Sequence, residues 1–211
     1  MPRESKVPLP TLERLATYYR YLSDIESRNV ETISSSAIEV ATGIRATQFR
    51  KDLSYFGGFG RPGIGYDVCE LKQRIAKILK VESEQPVVLI GAGNLGSALV
   101  GFFGLPLHNF HIVAAFDNNP RKIGQPLWDL KIMHIADLKA MNNSLHAQIG
   151  IITVPAVSAQ SCTDVLVDAG IKVILNFAPT TIKVPDGVFV RNICFIQELA
   201  VLSYYLTPEN A

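Results

Sequence analysis

The run Val87-Val88-Leu89-Ile90-Gly91-Ala92-Gly93-Asn94-Leu95-Gly96 decides the fold of the larger part of this chain. Residues 87–90 are wholly apolar, as expected of a short strand buried on both faces of a parallel sheet. Three glycines at the spacing G-x-G-x-x-G follow at once, and a helical pattern opens at Asn94. In that context each glycine has a task. The first makes the turn, the second lets a pyrophosphate approach the backbone, and the third lets helix and strand close up. Backbone N–H groups at the helix start then point at the anion. Gly91, Ala92, Gly93, Asn94, Leu95 and Gly96 are therefore the candidate phosphate cradle. Asp117 stands 21 residues beyond Gly96, at the end of the apolar run 111–116. An acid there can accept hydrogen bonds from both hydroxyls of an adenosine ribose, and its charge opposes a 2′-phosphate. The expected ligand is NAD rather than NADP, with Arg121 the nearby cation that argues the other way.

Outward from this motif, strands expected at 111–116, 148–154, 171–177 and 187–192 alternate with helical patterns at 94–103, 135–141 and 156–169. Strand and helix in alternation describe an α/β, doubly wound domain. Its ligands bind at strand carboxyl ends, so Thr153, Val154 and Pro155, with Phe177, Ala178 and Pro179, are expected to flank the nicotinamide. Ordinary strand-to-helix turns explain any one of them equally well. A dehydrogenase also needs a proton donor or acceptor beside the nicotinamide. No tyrosine is followed four residues later by lysine, and His108 and His111 fall away from the expected ligand end. Residues 86–211 suffice for the nucleotide fold and leave no room for a substrate domain. The dinucleotide is read as sensed rather than consumed, with no catalytic residues and no enzyme activity.

Before residue 81 the texture is helical. Leu12, Leu15, Tyr19 and Leu22 give a helix over 11–27 after Pro10. Ser34–Ser36 offer hydroxyl caps to a short helix that stops at Gly43, and a third helix is expected from Arg45 to Phe56. Two short helices around a glycine turn make a helix-turn-helix candidate. The five glycines among residues 57–65 read as a tight hairpin or wing, and 67–80 as a further helix. On the third helix Phe49, Leu53 and Phe56 share one face, while Thr47, Arg50, Lys51 and Ser54 share the opposite one. Two cations with small hydroxyls on an outer face suit a recognition helix in a major groove, where Arg50 can pair with guanine and Lys51 can reach guanine or phosphate. Gln48 can reach an adenine edge or a phosphate, Arg61 at the wing tip a minor groove or phosphate, and Ser35 and Arg45 complete the candidate DNA-binding set. A merely solvated helix face is the competing reading.

Charge and cysteine usage narrow the remaining classes. Net charge is +1, and Lys and Arg concentrate in residues 1–85 while residues 86–211 are slightly acidic. Cys69, Cys162 and Cys194 lie far apart without a C-x-x-C pair, which disfavours both a disulfide framework and a structural metal. No apolar run has membrane-spanning length, and the start MPRESKVPLP has no apolar signal segment, so a cytoplasmic location without membrane contact is expected. The tail from Ile193 to Leu206 is apolar on nearly every side and must be buried, against a partner chain or in its own core.

FRKDLSYFGGFGRPGIGY (49–66), GAGNLG (91–96), AFDNNPRKIG (115–124) and ILNFAP (174–179), with LERLATYYRYL near the start and ELAVLSYYL near the end, together resemble the Rex family of bacterial redox-sensing repressors. The resemblance spans nearly the whole chain. It implies a winged-helix DNA-binding domain over residues 1–80, a Rossmann NAD(H)-binding domain over 81–190, and a dimerisation helix over 191–211 exchanged between the subunits of a homodimer. It further implies binding to palindromic operator DNA when NAD⁺ prevails and release when NADH accumulates. Small NAD-dependent oxidoreductases and nucleotide-binding modules that contact a protein are the alternatives. Two departures from the family pattern concern a polar switch near the nicotinamide: Arg14 keeps the family's arginine, but Cys194 stands at the position of its aspartate and Phe102 at that of its tyrosine. Pro62 also replaces a wing residue that is often basic, which weakens the expected hold on phosphate.

Overall fold

The computed structural model describes residues 7–57, 65–102 and 104–206. The chain divides into two compact units, Met1–Ser83 and Glu84–Ala211. The expected wing, with Arg61 and Pro62, lies outside the described residues.

In the first unit, helix α1 (Leu9–Ser27) starts with proline in its first turn, where the missing N–H has no partner to lose. A two-residue strand β1 (Thr32–Ile33), not anticipated from sequence, leads into α2 (Ser35–Thr42). The Ser34 hydroxyl caps α2 by accepting from the Ala37 N–H at 3.1 Å, and Gly43 ends it in the left-handed region at φ 72°. After this turn comes α3 (Ala46–Ser54), the second helix of the expected pair. Strand β2 (Tyr66–Asp67) pairs antiparallel with β1 and feeds α4 (Val68–Leu79), which Asp67 caps through the Glu70 N–H at 2.7 Å. The core is the inner stripe of α1 (Leu15, Tyr18, Leu22) closed against Ile38, Phe49, Leu53, Leu71 and Ile75. Tyr18 and Phe49 meet edge to face at 4.9 Å, and Phe49 meets Tyr66 at 5.2 Å.

The second unit opens with β3 (Gln85–Ile90), which leads through the glycine motif into α5 (Asn94–Val100). There follow β4 (Phe110–Asp117), a hairpin of β5 (Pro126–Leu127) and β6 (Leu130–His134), α6 (Leu138–Leu145), β7 (Ile149–Ile152), α7 (Ala156–Asp168), β8 (Val173–Asn176) and β9 (Phe189–Asn192). The sheet order is β5-β6-β4-β3-β7-β8-β9, parallel throughout except for the β5–β6 pair. Without β5 this is the 3-2-1-4-5-6 order of a Rossmann sheet, with its switch point between β3 and β7. Val87–Ile90 are buried on both faces, one face packing on Leu138, Ala159 and Leu166 and the other on Leu127 and Ile132. The β5–β6 hairpin is absent from the sequence reading because five residues of LKIMH carry too little alternation to stand out.

Helix α8 (Phe195–Ser203) and a 3₁₀ turn (Tyr204–Leu206) follow β9. Since β9 runs to Asn192 in register with β8, the expected boundary at 190/191 cuts a sheet strand, and the tail proper begins after it. The apolar side chains of α8 are not in their own core. Phe195, Ile196, Leu199, Val201, Leu202 and the residues of the 3₁₀ turn are 56–82% exposed.

Candidate functional site

A cleft of about 550 Å³ opens at the carboxyl ends of β3, β4 and β7. The three glycines at its floor differ in what requires them. Gly91 sits at φ 104°, and a Cβ there would lie 2.7 Å from the Thr153 carbonyl oxygen. A Cβ on Gly96 would lie 2.0 Å from the Gly91 carbonyl oxygen. Gly93 is different: a Cβ there meets no protein atom within 4 Å. The protein's own packing demands the first and third glycines but not the second, so the backbone at Gly93 is left open to a ligand. This is the arrangement a dinucleotide pyrophosphate needs, so the residues present fit NAD(H).

Of the expected cleft residues, Gly91, Gly93, Leu95, Asp117, Thr153, Val154, Pro155 and Phe177 line it. Ala92 does not serve as a free donor, because its N–H goes to Asp117 Oδ2 at 3.0 Å. Asn94 is exposed at the helix start, and Gly96 is buried beneath it. Ala178 is buried, and its N–H donates to Asn176 Oδ1 at 3.0 Å; it braces the 176–180 turn instead of walling the cleft, and Pro179 is exposed beyond it. The Thr153 hydroxyl turns inward to donate to the Gly91 carbonyl at 2.7 Å, fixing the glycine turn to the end of β7.

Asp117 is 7% exposed and well supplied with donors. Oδ1 accepts from the Asn119 N–H at 2.9 Å, and Oδ2 accepts from Ala92 N–H and from Lys122 Nζ at 3.1 Å. Burial alone would raise this carboxyl, but the Asn119 N–H, Lys122 and the Ala92 N–H together hold it below the usual carboxylate range. Lys122 lines the cleft and was missed by the sequence reading, which weighed Arg121 instead. Cys162 also reaches the cleft wall, and burial pushes its thiol up to about 11, so it stays protonated and inert at neutral pH. Among the described residues no His, Cys, Asp and Glu cluster could hold a metal, and no helix is long and apolar enough to cross a membrane.

In the first unit, Arg45, Thr47, Arg50, Lys51 and Ser54 are exposed on the outer side of α3 and at its start. Arg50 Nη1 donates to the Ser35 hydroxyl at 2.8 Å, so these two candidates hold each other across the helix-turn-helix. Gln48 is half-buried, and its amide donates inward to Asp52 Oδ1 at 2.8 Å, committing one of its N–H groups to the protein. Asp52 was overlooked because an acid on a charged helix reads as surface, yet it is fully buried. It gathers Arg14 Nε at 2.6 Å, Arg14 Nη2 at 2.7 Å and Tyr18 Oη at 3.0 Å in addition to Gln48. Burial works against its charge, but the Arg14, Gln48 and Tyr18 donors prevail and hold the carboxyl below its ordinary value. Arg14, expected to serve a polar switch, is thus bidentate on Asp52 and locks α1 to α3.

Comparison with known proteins separates the readings that this geometry leaves open. Residues 6–54 match the family described as "Putative DNA-binding protein N-terminus", and residues 82–180 match the CoA binding domain family. A redox-sensing transcriptional repressor Rex of Carboxydothermus hydrogenoformans is 43% identical over 97% of this chain and 98% of its own length. One from Chloroflexus aggregans is 40% identical over 100% and 99%. The chain belongs to the Rex family. A Rex-family repressor solved with β-NAD⁺ and operator DNA is 37% identical and superposes with a TM-score of 0.90, covering 97% of this chain and 94% of that one. Its complex with β-NADH superposes with a TM-score of 0.86 at 35% identity over 97% and 96%. Within this Rex chain, Phe102 is largely exposed just past the end of α5, and half-buried Cys194 is the N-cap of α8. Phe195 packs beside the cleft residue Phe177, with ring centroids 6.3 Å apart.

Proposed function

We infer that the chain is a redox-sensing transcriptional repressor that binds operator DNA and responds to NAD⁺ and NADH; the nucleotides act as effectors and not as substrates. The observation that carries this is Gly93, a glycine that protein packing does not require, at the switch point of a Rossmann sheet in a chain that also presents Arg50 and Lys51 on an exposed helix-turn-helix face. The relatives' complexes with NAD⁺, NADH and operator DNA support the same reading. The glycine loop and Asp117 hold the adenosine end, and Val154, Pro155 and Phe177 lie beside the nicotinamide. The nucleotide supplies a ring that is flat and cationic when oxidised and neutral and puckered when reduced.

A homodimer in the cytoplasm completes the reading. The exposed apolar α8 requires a cover, and a second copy of the chain supplies it most simply. A dimer also matches two recognition helices to palindromic half-sites about one helical turn apart, so a change in subunit angle breaks the match. Differential affinity for the two nicotinamide states is what moves such an equilibrium, since equal affinity shifts nothing. With Cys194 in place of an aspartate, discrimination between NADH and NAD⁺ stays below about 10³-fold, roughly 4 kcal/mol. The test is selection of duplexes from a random pool, repeated with NADH. A palindrome enriched without NADH and lost with it is expected. Retention regardless of NADH, or no enrichment at all, overturns the reading.

A further inference from the structure

Trp128 is the chain's single tryptophan, and it sits in the first position of the two-residue turn that joins β5 to β6. Its backbone is left-handed, at φ 56°, a conformation that a bulky side chain rarely adopts. Such a backbone persists only where the surroundings over-determine it. Two contacts do so here. Indole Nε1–H donates to the Ser97 carbonyl at 2.9 Å, the same oxygen that accepts the Gly101 N–H closing α5. The ring also fills the notch that Gly101 leaves at the end of that helix: a Cβ on Gly101 would lie 2.4 Å from two ring carbons. The other flank of the hairpin is seated as well, since Leu127 is buried in the cluster on which Leu99 and Val100 of α5 pack. Yet Trp128 remains 63% exposed, so burial of the indole is not what holds it in place.

The helix it grips is short. Its beginning is locked by the tight Gly91–Gly96 contact and the Thr153 hydroxyl; the other end has Trp128. We propose that Trp128 is a positioning residue for the dinucleotide: by clamping the C-terminal end of α5 it sets how the glycine loop meets the pyrophosphate. It ties that loop to β6 and thereby to β4, the strand that ends in Asp117. The two halves of the adenosine-side site are in this way held in one frame. The inference rests on the nucleotide reading above and adds to it a residue that touches no ligand.

Trp128→Gly is the informative variant, because glycine accepts the left-handed backbone without strain and folding is not expected to suffer. Loss of the clamp should weaken NADH binding about three- to tenfold, the size of one net hydrogen bond, with the melting temperature of the protein unchanged or raised. Trp128→Phe keeps a ring without the N–H and should fall between. Gly101→Ala expels the indole and should weaken NADH binding in the natural background, but should be neutral when combined with Trp128→Gly. Equal NADH affinity in natural protein and Trp128→Gly, or an equal effect of Gly101→Ala in both backgrounds, overturns the clamp while leaving nucleotide binding intact. If the natural protein itself takes up no NADH, the nucleotide reading fails and the clamp falls with it. Energy transfer from Trp128 to bound NADH gives an independent readout of the titration in natural protein and in Gly101→Ala.

Discussion

Among the described residues each unit contains one deeply buried aspartate, and the two have nearly the same chemistry. Asp52 and Asp117 are both held ionised against burial by a cation and several N–H or O–H donors. They differ in who the donors are. Those on Asp52 are side chains from two helices, Arg14 and Tyr18 on α1 and Gln48 on α3, closed over by the core. Those on Asp117 are loop N–H groups and a lysine at the mouth of a cleft. A carboxylate saturated by side chains inside a core organises the fold, while one supplied by loops beside open space is available to a ligand. Burial and a perturbed pKa alone do not tell the two apart.

The comparison is broken most directly at Asp52. Asp52→Ala leaves Arg14 and Tyr18 without their acceptor and should destabilise the first unit by about 3 kcal/mol or more, read as a lower urea midpoint of its transition; an unchanged midpoint means the network organises nothing. The smaller effect is expected on the outer face of the same helix. Arg50→Ala should cost about 1–3 kcal/mol of operator binding and relax one base preference, with the urea midpoint preserved, so a gel shift equal to that of natural protein would refute the assigned face.

Acid titrates both sites in the same sense. Each folded-state pKa lies below the ordinary carboxylate value of about 3.9, so the stabilisation is present above that pH and drains away as pH falls through the lower folded values. Thermal melting should therefore be flat near neutrality and decline below about pH 4. Asp52→Asn should flatten that decline more than Asp117→Asn does, and the reverse order would exchange the roles assigned to the two acids. The smallest effect is expected at Lys122. Its ammonium partly offsets the repulsion of a 2′-phosphate by Asp117, so Lys122→Ala should widen the preference for NADH over NADPH by about 0.5–1 kcal/mol, the scale of a half-exposed pair, measured by titration with each nucleotide.

How much of this was legible beforehand follows from which signals are local. The glycine loop, the apolar strand 87–90 and the helix signals at Ser34 and Gly43 are local features, and the structure realises each of them. The outward set on α3 was readable from spacing, but the inward set was not, because counting apolar residues passes over Asp52. Gln48 and Arg14 both bond that buried acid, a role that apolar spacing gave no sign of. Lys122 and the β5–β6 hairpin escaped for a related reason, since their significance lies in neighbours distant along the chain.

Sequence alone therefore determined the helices of the first unit, the main alternation of strand and helix in the second, and the chemistry of the phosphate cradle, since periodicity, capping and glycine spacing act over a few residues. Tertiary structure decided which polar groups are already committed: Asp52 to Arg14, Ala92 N–H to Asp117, and the Trp128 indole to the end of α5. A hydrogen bond removes a donor from use wherever its acceptor happens to lie, and only the folded chain brings residues 38, 25 or 31 positions apart within 3 Å of each other.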